Sequence, residues 1–202
     1  MSGTASTAQM LELAAAVTRA LPRDIGSDRA QHLIENGGEE LKAILASLRT
    51  GNQSATPSFN IANYDVQVDY DLTVAKAVKA GKYDWSNSDI TAEHFPTKRS
   101  GKATVTLELV HFDKTMSSDN VLAELDAQGL RPAELRELLA LGAAYPELQR
   151  EFPIIELESV WQNPDGDRNV AYLFRNGSKR SLDLHWFDIG WDENCRFAAV
   201  RK

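Results

Sequence analysis

The chain has 202 residues, of which 43% are hydrophobic and 25% charged, and its formal net charge is −7. This is ordinary globular composition, sufficient for one substantial core, and it excludes disorder along the whole chain. The negative charge predicts no nucleic-acid binding, because such binding draws much of its affinity from cations that face phosphates. The longest basic clusters are dipeptides, and we interpret two of them as solvated loops: Lys98-Arg99 and Lys179-Arg180.

The N-terminal sequence predicts neither a secretory signal nor a membrane span. It lacks a basic region, and Glu12 interrupts its apolar run. The single cysteine, Cys195, cannot form an intramolecular disulfide, and we expect it to be a small core residue. These features predict a cytoplasmic protein without membrane contact.

Residues 1–50 predict a small helical module. Apolar residues at helical spacing between Met10 and Leu21 indicate an amphipathic helix that ends before Pro22, and two shorter helices precede Gly51. Residues 51–58 are polar and poor in large apolar side chains, which is typical of a linker. We therefore place a domain boundary there.

Residues 59–101 predict a strand, a helix and an ordered loop. Apolar and polar residues alternate over 64–70, and a short helix then ends at Gly81. Residues 83–99 show neither periodicity, so we expect a loop anchored by its aromatic side chains.

Residues 102–202 predict two helices among several strands. A strand over 102–112 precedes a helix capped by Ser117 or Ser118, and Pro132 is expected in the first turn of a second helix that Gly142 ends. Further strands are predicted over residues 154–161, 170–174, 181–187 and 196–200. The fold class is therefore α+β.

Two local sequences in this last part resemble those of C-type-lectin-like domains. Residues 129–139, GLRPAELRELL, are similar to the start of the second helix in bacterial lectin-like and formylglycine-generating-enzyme-like domains. Residues 196–201, RFAAVR, are similar to their final strand. The order of the elements also resembles that fold, which implies a C-type-lectin-like domain over 102–202 whose first and last strands pair.

The resemblance implies binding more than catalysis. Formylglycine formation needs paired cysteines, whereas this chain has one, and residues 162–165 and 191–194 match the calcium motifs of sugar-binding lectins only faintly. Targets of diversity-generating retroelements, another lectin-like group, carry a hypervariable ligand-binding surface on their last strands and loops. Residues 81–91 and 131–142 also resemble uncharacterised bacterial proteins, which implies no activity.

The densest group of aromatic and polar residues lies between positions 175 and 194. Rigid rings beside adaptable polar groups suit a recognition surface. We expect Trp161 and Trp186 in the core, whereas for Trp191 core and recognition both remain open. The candidate ligand-binding residues are Arg175, Asn176, Asp183, His185, Asp188, Trp191, Asp192 and Asn194.

Two other groups of residues bear on catalysis. Asp183 and His185 share one face of a predicted strand, as a hydrolase would need, and Glu156 with Glu158 has the spacing of a carboxylate pair. No nucleophile elbow, phosphate-binding loop or zinc-ligand spacing accompanies them. Acids on an exposed strand face have the same spacing, so we interpret both glutamates as exposed. Without these motifs we expect no cofactor and no metal.

Three functional hypotheses follow from the sequence. The leading one is a non-enzymatic protein that binds an unknown protein or small ligand through its C-terminal surface. The second is an interaction protein that forms homo-oligomers through its N-terminal helices. The third is a hydrolase that uses His185 with Asp183 or Glu158.

Overall fold

The computed structural model describes residues 60–202, which form a mixed α+β structure that is mostly strand. The predicted helical module at 1–50 and the linker at 51–58 lie outside the described residues. The strands are β1 (Asn60–Asp69), β2 (Trp85–Ser86), β3 (Lys102–His111), β4 (Met116–Ser117), β5 (Leu130–Pro132), β6 (Ile154–Ile155), β7 (Trp161–Gln162), β8 (Arg168–Asn176), β9 (Lys179–Trp186), β10 (Gly190–Trp191) and β11 (Arg196–Arg201). The helices are α1 (Val74–Gly81), α2 (Ser118–Ala127), α3 (Leu135–Ala144) and α4 (Leu148–Glu151).

Nine of these strands build one sheet, in the order β1-β3-β11-β6-β8-β9-β2, with β5 also paired to β11 and β7 to β8. β1 pairs with β3 along its whole length, from Asn60 opposite His111 to Asp69 opposite Lys102. β11 lies antiparallel to β3, with Ala198 opposite Leu109, and parallel to β6. Residues 60–101 thus supply β1 and β2 at the two ends of this order.

Helices pack on both faces of the sheet. Ala198 of β11 belongs to one apolar cluster with Leu138 of α3, whereas Phe197 belongs to a second with Val121 of α2. Successive residues of a strand point to opposite faces, so α3 and α2 lie on opposite sides of β11. None of the helices within residues 60–202 is long and apolar enough to cross a membrane.

Two secondary-structure predictions for the C-terminal part are wrong. Pro132 lies in β5, opposite Ala199 of β11, and α3 begins three residues later, after a capping box formed by Glu134 and Glu137. Residues 154–161 are not one strand, because the chain leaves the sheet between β6 and β7. The Ser159 backbone N–H there donates to Glu156 Oε2, which bends the segment around a buried carboxyl group.

Two charged residues predicted at the surface are buried. Arg180 is only 5% exposed, because its guanidinium donates to the backbone oxygens of Gly81 and Gly142. Glu156 is also buried, so its predicted exposure is wrong. Cys195 is a buried free cysteine, which confirms its prediction as a core residue.

Candidate functional site

An open cleft of about 400 Å³ lies where β7, β8 and β9 run side by side. Its walls combine indole rings with amide and carboxylate side chains from four separate stretches of the chain. We call it the Trp cleft and define it by Trp161, Trp186, Asn169, Asn87, Asp89 and Asp165.

Asn169 forms the centre of the Trp cleft. On β8 it lies opposite both Trp161 of β7 and Trp186 of β9. Side chains of directly opposite residues point to the same face, and neighbouring strands lie about 4.8 Å apart. The two indoles therefore flank the Asn169 side chain, which is itself only 7% exposed.

The two tryptophans of the Trp cleft differ in how they are held. Trp161 is half-buried against the core, and its ring stacks on His94 with 4.2 Å between ring centroids. Trp186 is 56% exposed, so its prediction as a core residue is wrong. It lies at the end of β9, beyond the two positions, Ser181 and Leu182, that β2 covers.

A short turn beside β9 supplies the opposite wall. Asn87 Oδ1 accepts from the backbone N–H of Asp89, and the Asn87 backbone oxygen accepts from Ile90 N. The Asn87 Nδ2 donates to Asp183 Oδ1 at 2.8 Å. These bonds fix the turn next to β9 and place Asp89 at the rim of the Trp cleft.

The structure separates most of the predicted ligand-binding residues. Of these, His185 lines the Trp cleft. Asp183 adjoins it through Asn87, and Trp191 is buried, 3% exposed, with its indole N–H donating to Ser118 Oγ. The others lie elsewhere: Arg175 and Asn176 at the far end of the β8–β9 hairpin, Asp188 in an ion pair with Arg168, and Asp192 and Asn194 in the turn before β11.

Asp183 and His185 do not form a hydrogen-bonded pair within the described residues. Asp183 Oδ1 accepts from Asn87 Nδ2 and from the Leu184 backbone N–H, each at 2.8 Å. His185 Nδ1 lies 3.4 Å from the Trp186 backbone oxygen, and its ring contacts Tyr172. Burial, followed by the nearby Asp183 charge, raises the pKa of Tyr172 to about 12.

The two glutamates likewise lie in different surroundings. Glu156 is fully buried, and this burial raises the pKa of its carboxyl well above the usual value. Glu158, two residues later, is exposed. An acid that is sealed from solvent beside one that is open to it does not make a shared carboxylate site.

Sequence reasoning missed Asn87, Asp89 and Asn169 as cleft residues. Asn87 and Asp89 carry no periodic signal, and they reach β9 only because β2 pairs with Ser181 and Leu182. Asn169 had a usable signal: it alternates with Ala171 and Leu173, both buried, so it is a polar residue on an inward-facing position.

Comparisons with known proteins give no relative for the chain. No protein-family model matches it, and neither the curated proteins nor the solved structures contain a match. Within residues 60–202, no cluster of three or more His, Cys, Asp or Glu side chains could hold a metal ion.

Proposed function

We propose that the chain is a non-enzymatic binding protein that holds its ligand in the Trp cleft. The observation that carries the proposal is the row Trp161, Asn169, Trp186 across three strands. An exposed indole offers a large, rigid contact area at low entropic cost, and the amide between the rings can orient a polar ligand. Because the row is built on strands, its spacing is set before the ligand arrives.

For residues 102–202 we also infer a C-type-lectin-like arrangement. Its support is the antiparallel pairing of β3 with β11, the first and last strands of this region. The helices α2 and α3 lie between these two strands in sequence. β1 and β2 then extend this sheet at its two ends. The hydrolase hypothesis has less support, because Asp183 and His185 bond to other groups.

The test is a binding screen followed by matched tryptophan variants. The purified chain is screened against a peptide library and an oligosaccharide panel, and each ligand found is measured again with Trp186→Ala. We expect at least about thirtyfold weaker binding, since removal of a central aromatic costs about 2 kcal/mol or more. Trp85→Ala is the control, because Trp85 is also exposed but lies outside the Trp cleft.

The variants must first give the same near-ultraviolet circular dichroism as the wild type outside the contribution of the removed indole. Ligands that Trp186→Ala binds as tightly as the wild type would place the binding site elsewhere and refute the proposal.

A further inference from the structure

The Trp cleft is lined by acidic residues and by no Lys or Arg. Asp89 and Asp165 line it, whereas none of its described lining residues is Lys or Arg. Among residues 60–202, neither carboxylate has an ion-pair partner within 4 Å. The cleft therefore presents unpaired negative charge beside apolar rings.

A hydrogen-bond acceptor without a described partner lies at the centre of the same cleft. Asn169 Nδ2 donates to the Asp167 backbone oxygen at 2.9 Å. No described residue donates to Asn169 Oδ1, and this oxygen is not among the buried polar atoms that lack a partner. It can therefore accept a hydrogen bond from a ligand in the cleft.

The rings themselves favour a cation. The face of an indole carries partial negative charge and attracts an ammonium or guanidinium group within about 6 Å of its centre. His94 already covers one face of Trp161, so the exposed ring of Trp186 is the better surface for a cation. Asp89 and Asp165 would balance its charge at the rim.

On its outer side beside the Trp cleft, β9 has backbone groups without a hydrogen-bond partner among residues 60–202. On the side of β9 that faces β8, the Phe187 backbone N–H donates to the Arg168 backbone oxygen. On the outer side, the Asn87 backbone N–H donates to the Leu182 backbone oxygen. In an antiparallel strand, the N–H and C=O groups of successive residues point to alternate sides. The N–H and C=O groups of Leu184 and Trp186 therefore point to the outer side, as those of Leu182 do. β2 ends at the position of Leu182, the Leu184 N–H donates to Asp183 Oδ1 and the Trp186 oxygen lies 3.4 Å from His185 Nδ1. The Leu184 C=O and the Trp186 N–H therefore remain for another strand.

We propose that the Trp cleft binds a basic, extended peptide segment of a partner protein. The segment adds as a short strand to β9 at Leu184 and Trp186, and one of its Arg or Lys side chains packs on the exposed Trp186 indole. Backbone pairing then supplies part of the affinity, and the cation supplies selectivity. This inference rests on the proposed function and names the class of its ligand.

The probe is a fluorescein-labelled, end-blocked peptide of about seven residues that alternates Thr and Val around a central Arg. Fluorescence anisotropy compares it with the same peptide carrying citrulline, which keeps the shape and removes the charge. We expect the Arg peptide to bind at least about fivefold more tightly, and an increase of NaCl from about 0.05 M to about 0.5 M to reduce that ratio.

Two protein variants locate the effect. The Asp89→Asn, Asp165→Asn double variant should lose most of the preference for Arg over citrulline, whereas Asp119→Asn, an exposed aspartate on α2, should keep it. Methylation of the peptide amide nitrogens should weaken binding by about tenfold, since it removes the donors that a strand needs. Free arginine amide should bind far more weakly than the peptide.

Several results would overturn the inference. These are no binding of the Arg peptide up to about 1 mM, equal affinity for the Arg and citrulline peptides, a preference that survives in the double aspartate variant, or no effect of amide methylation. A neutral or acidic ligand that Trp186→Ala loses would overturn this inference and leave the proposed function standing. Ligands that do not depend on Trp186 would refute both.

Discussion

Arg180 is a buried cation that helix ends hold in place of a carboxylate. Its Nη1 donates to the Gly81 oxygen at 2.7 Å, and its Nη2 donates to the Gly142 oxygen at 2.7 Å and to Gln149 Oε1 at 3.0 Å. Gly81 and Gly142 lie in the last turns of α1 and α3, where carbonyl groups carry partial negative charge. Replacement by Met keeps much of the side-chain volume and removes both nitrogens that make these three hydrogen bonds.

The expected cost of Arg180→Met is about 3 kcal/mol of unfolding free energy. A hydrogen bond to a charged group contributes about 1.5–3 kcal/mol, and three buried acceptors would lose their donor. Against this stands the cost of burying the guanidinium itself, which is several kcal/mol and is recovered in the variant. The same cost of burial lowers the pKa of the Arg180 guanidinium, because burial disfavours the charged form.

The assay is urea unfolding followed by tryptophan fluorescence. All four tryptophans, at positions 85, 161, 186 and 191, lie in the described part of the chain, so the signal reports on that part. Lys179→Met is the matched control, because Lys179 is the exposed neighbour on the same strand. A loss below about 1 kcal/mol for Arg180→Met, or one equal to that of the control, would refute the reasoning.

Two further changes probe buried groups. Burial raises the pKa of Glu156, so the stability that this carboxyl contributes below about pH 4 is lost as pH rises through the raised value. Above pH 4, the unfolding free energy of Glu156→Gln relative to the wild type should therefore rise by up to about 1.4 kcal/mol per pH unit in urea titrations. A difference that stays constant with pH, or an equal rise in the exposed variant Glu158→Gln, would contradict this. Gly142→Ala should lower the melting temperature, because its Cβ would lie 2.2 Å from Tyr83 Oη and 2.9 Å from Leu173 Cδ1. The loss should be smaller in a Tyr83→Phe background, and equal losses in both backgrounds would disprove the contact.

Alternation was enough to predict the long strands, because each has one face or both faces in the core. β1, β3, β8, β9 and β11 lie where the pattern placed them, with ends that differ by a few residues. β2 was missed, since its two residues gain strand geometry only from pairing with Ser181 and Leu182. Pro132 was misplaced because its fixed backbone angle suits both a first helical turn and a strand at the sheet margin.

The sequence predicted the residue types of the site but not its position in the fold. The sequence indicated an aromatic and polar surface between positions 175 and 194, and His185 and Trp186 of that stretch do line the Trp cleft. Trp191 could not be assigned, because its burial depends on Ser118 of α2, far away in sequence. Asp89 joins the cleft because β2 pairs with β9, and no local pattern encodes that pairing. Asn169 was predictable from the alternation of β8, as a polar residue in an inward-facing position.

The position of β11 has a consequence for the rate of folding. This strand joins β3 to β6 at the centre of the sheet, although residues 196–201 follow 102–111 by more than 80 positions in the chain. A long loop must therefore close before the central pairing forms, and such non-local pairing slows folding to about milliseconds or longer. Until then β3 and β6 have exposed edges, so chains refolding at high concentration should aggregate in competition with the docking of β11.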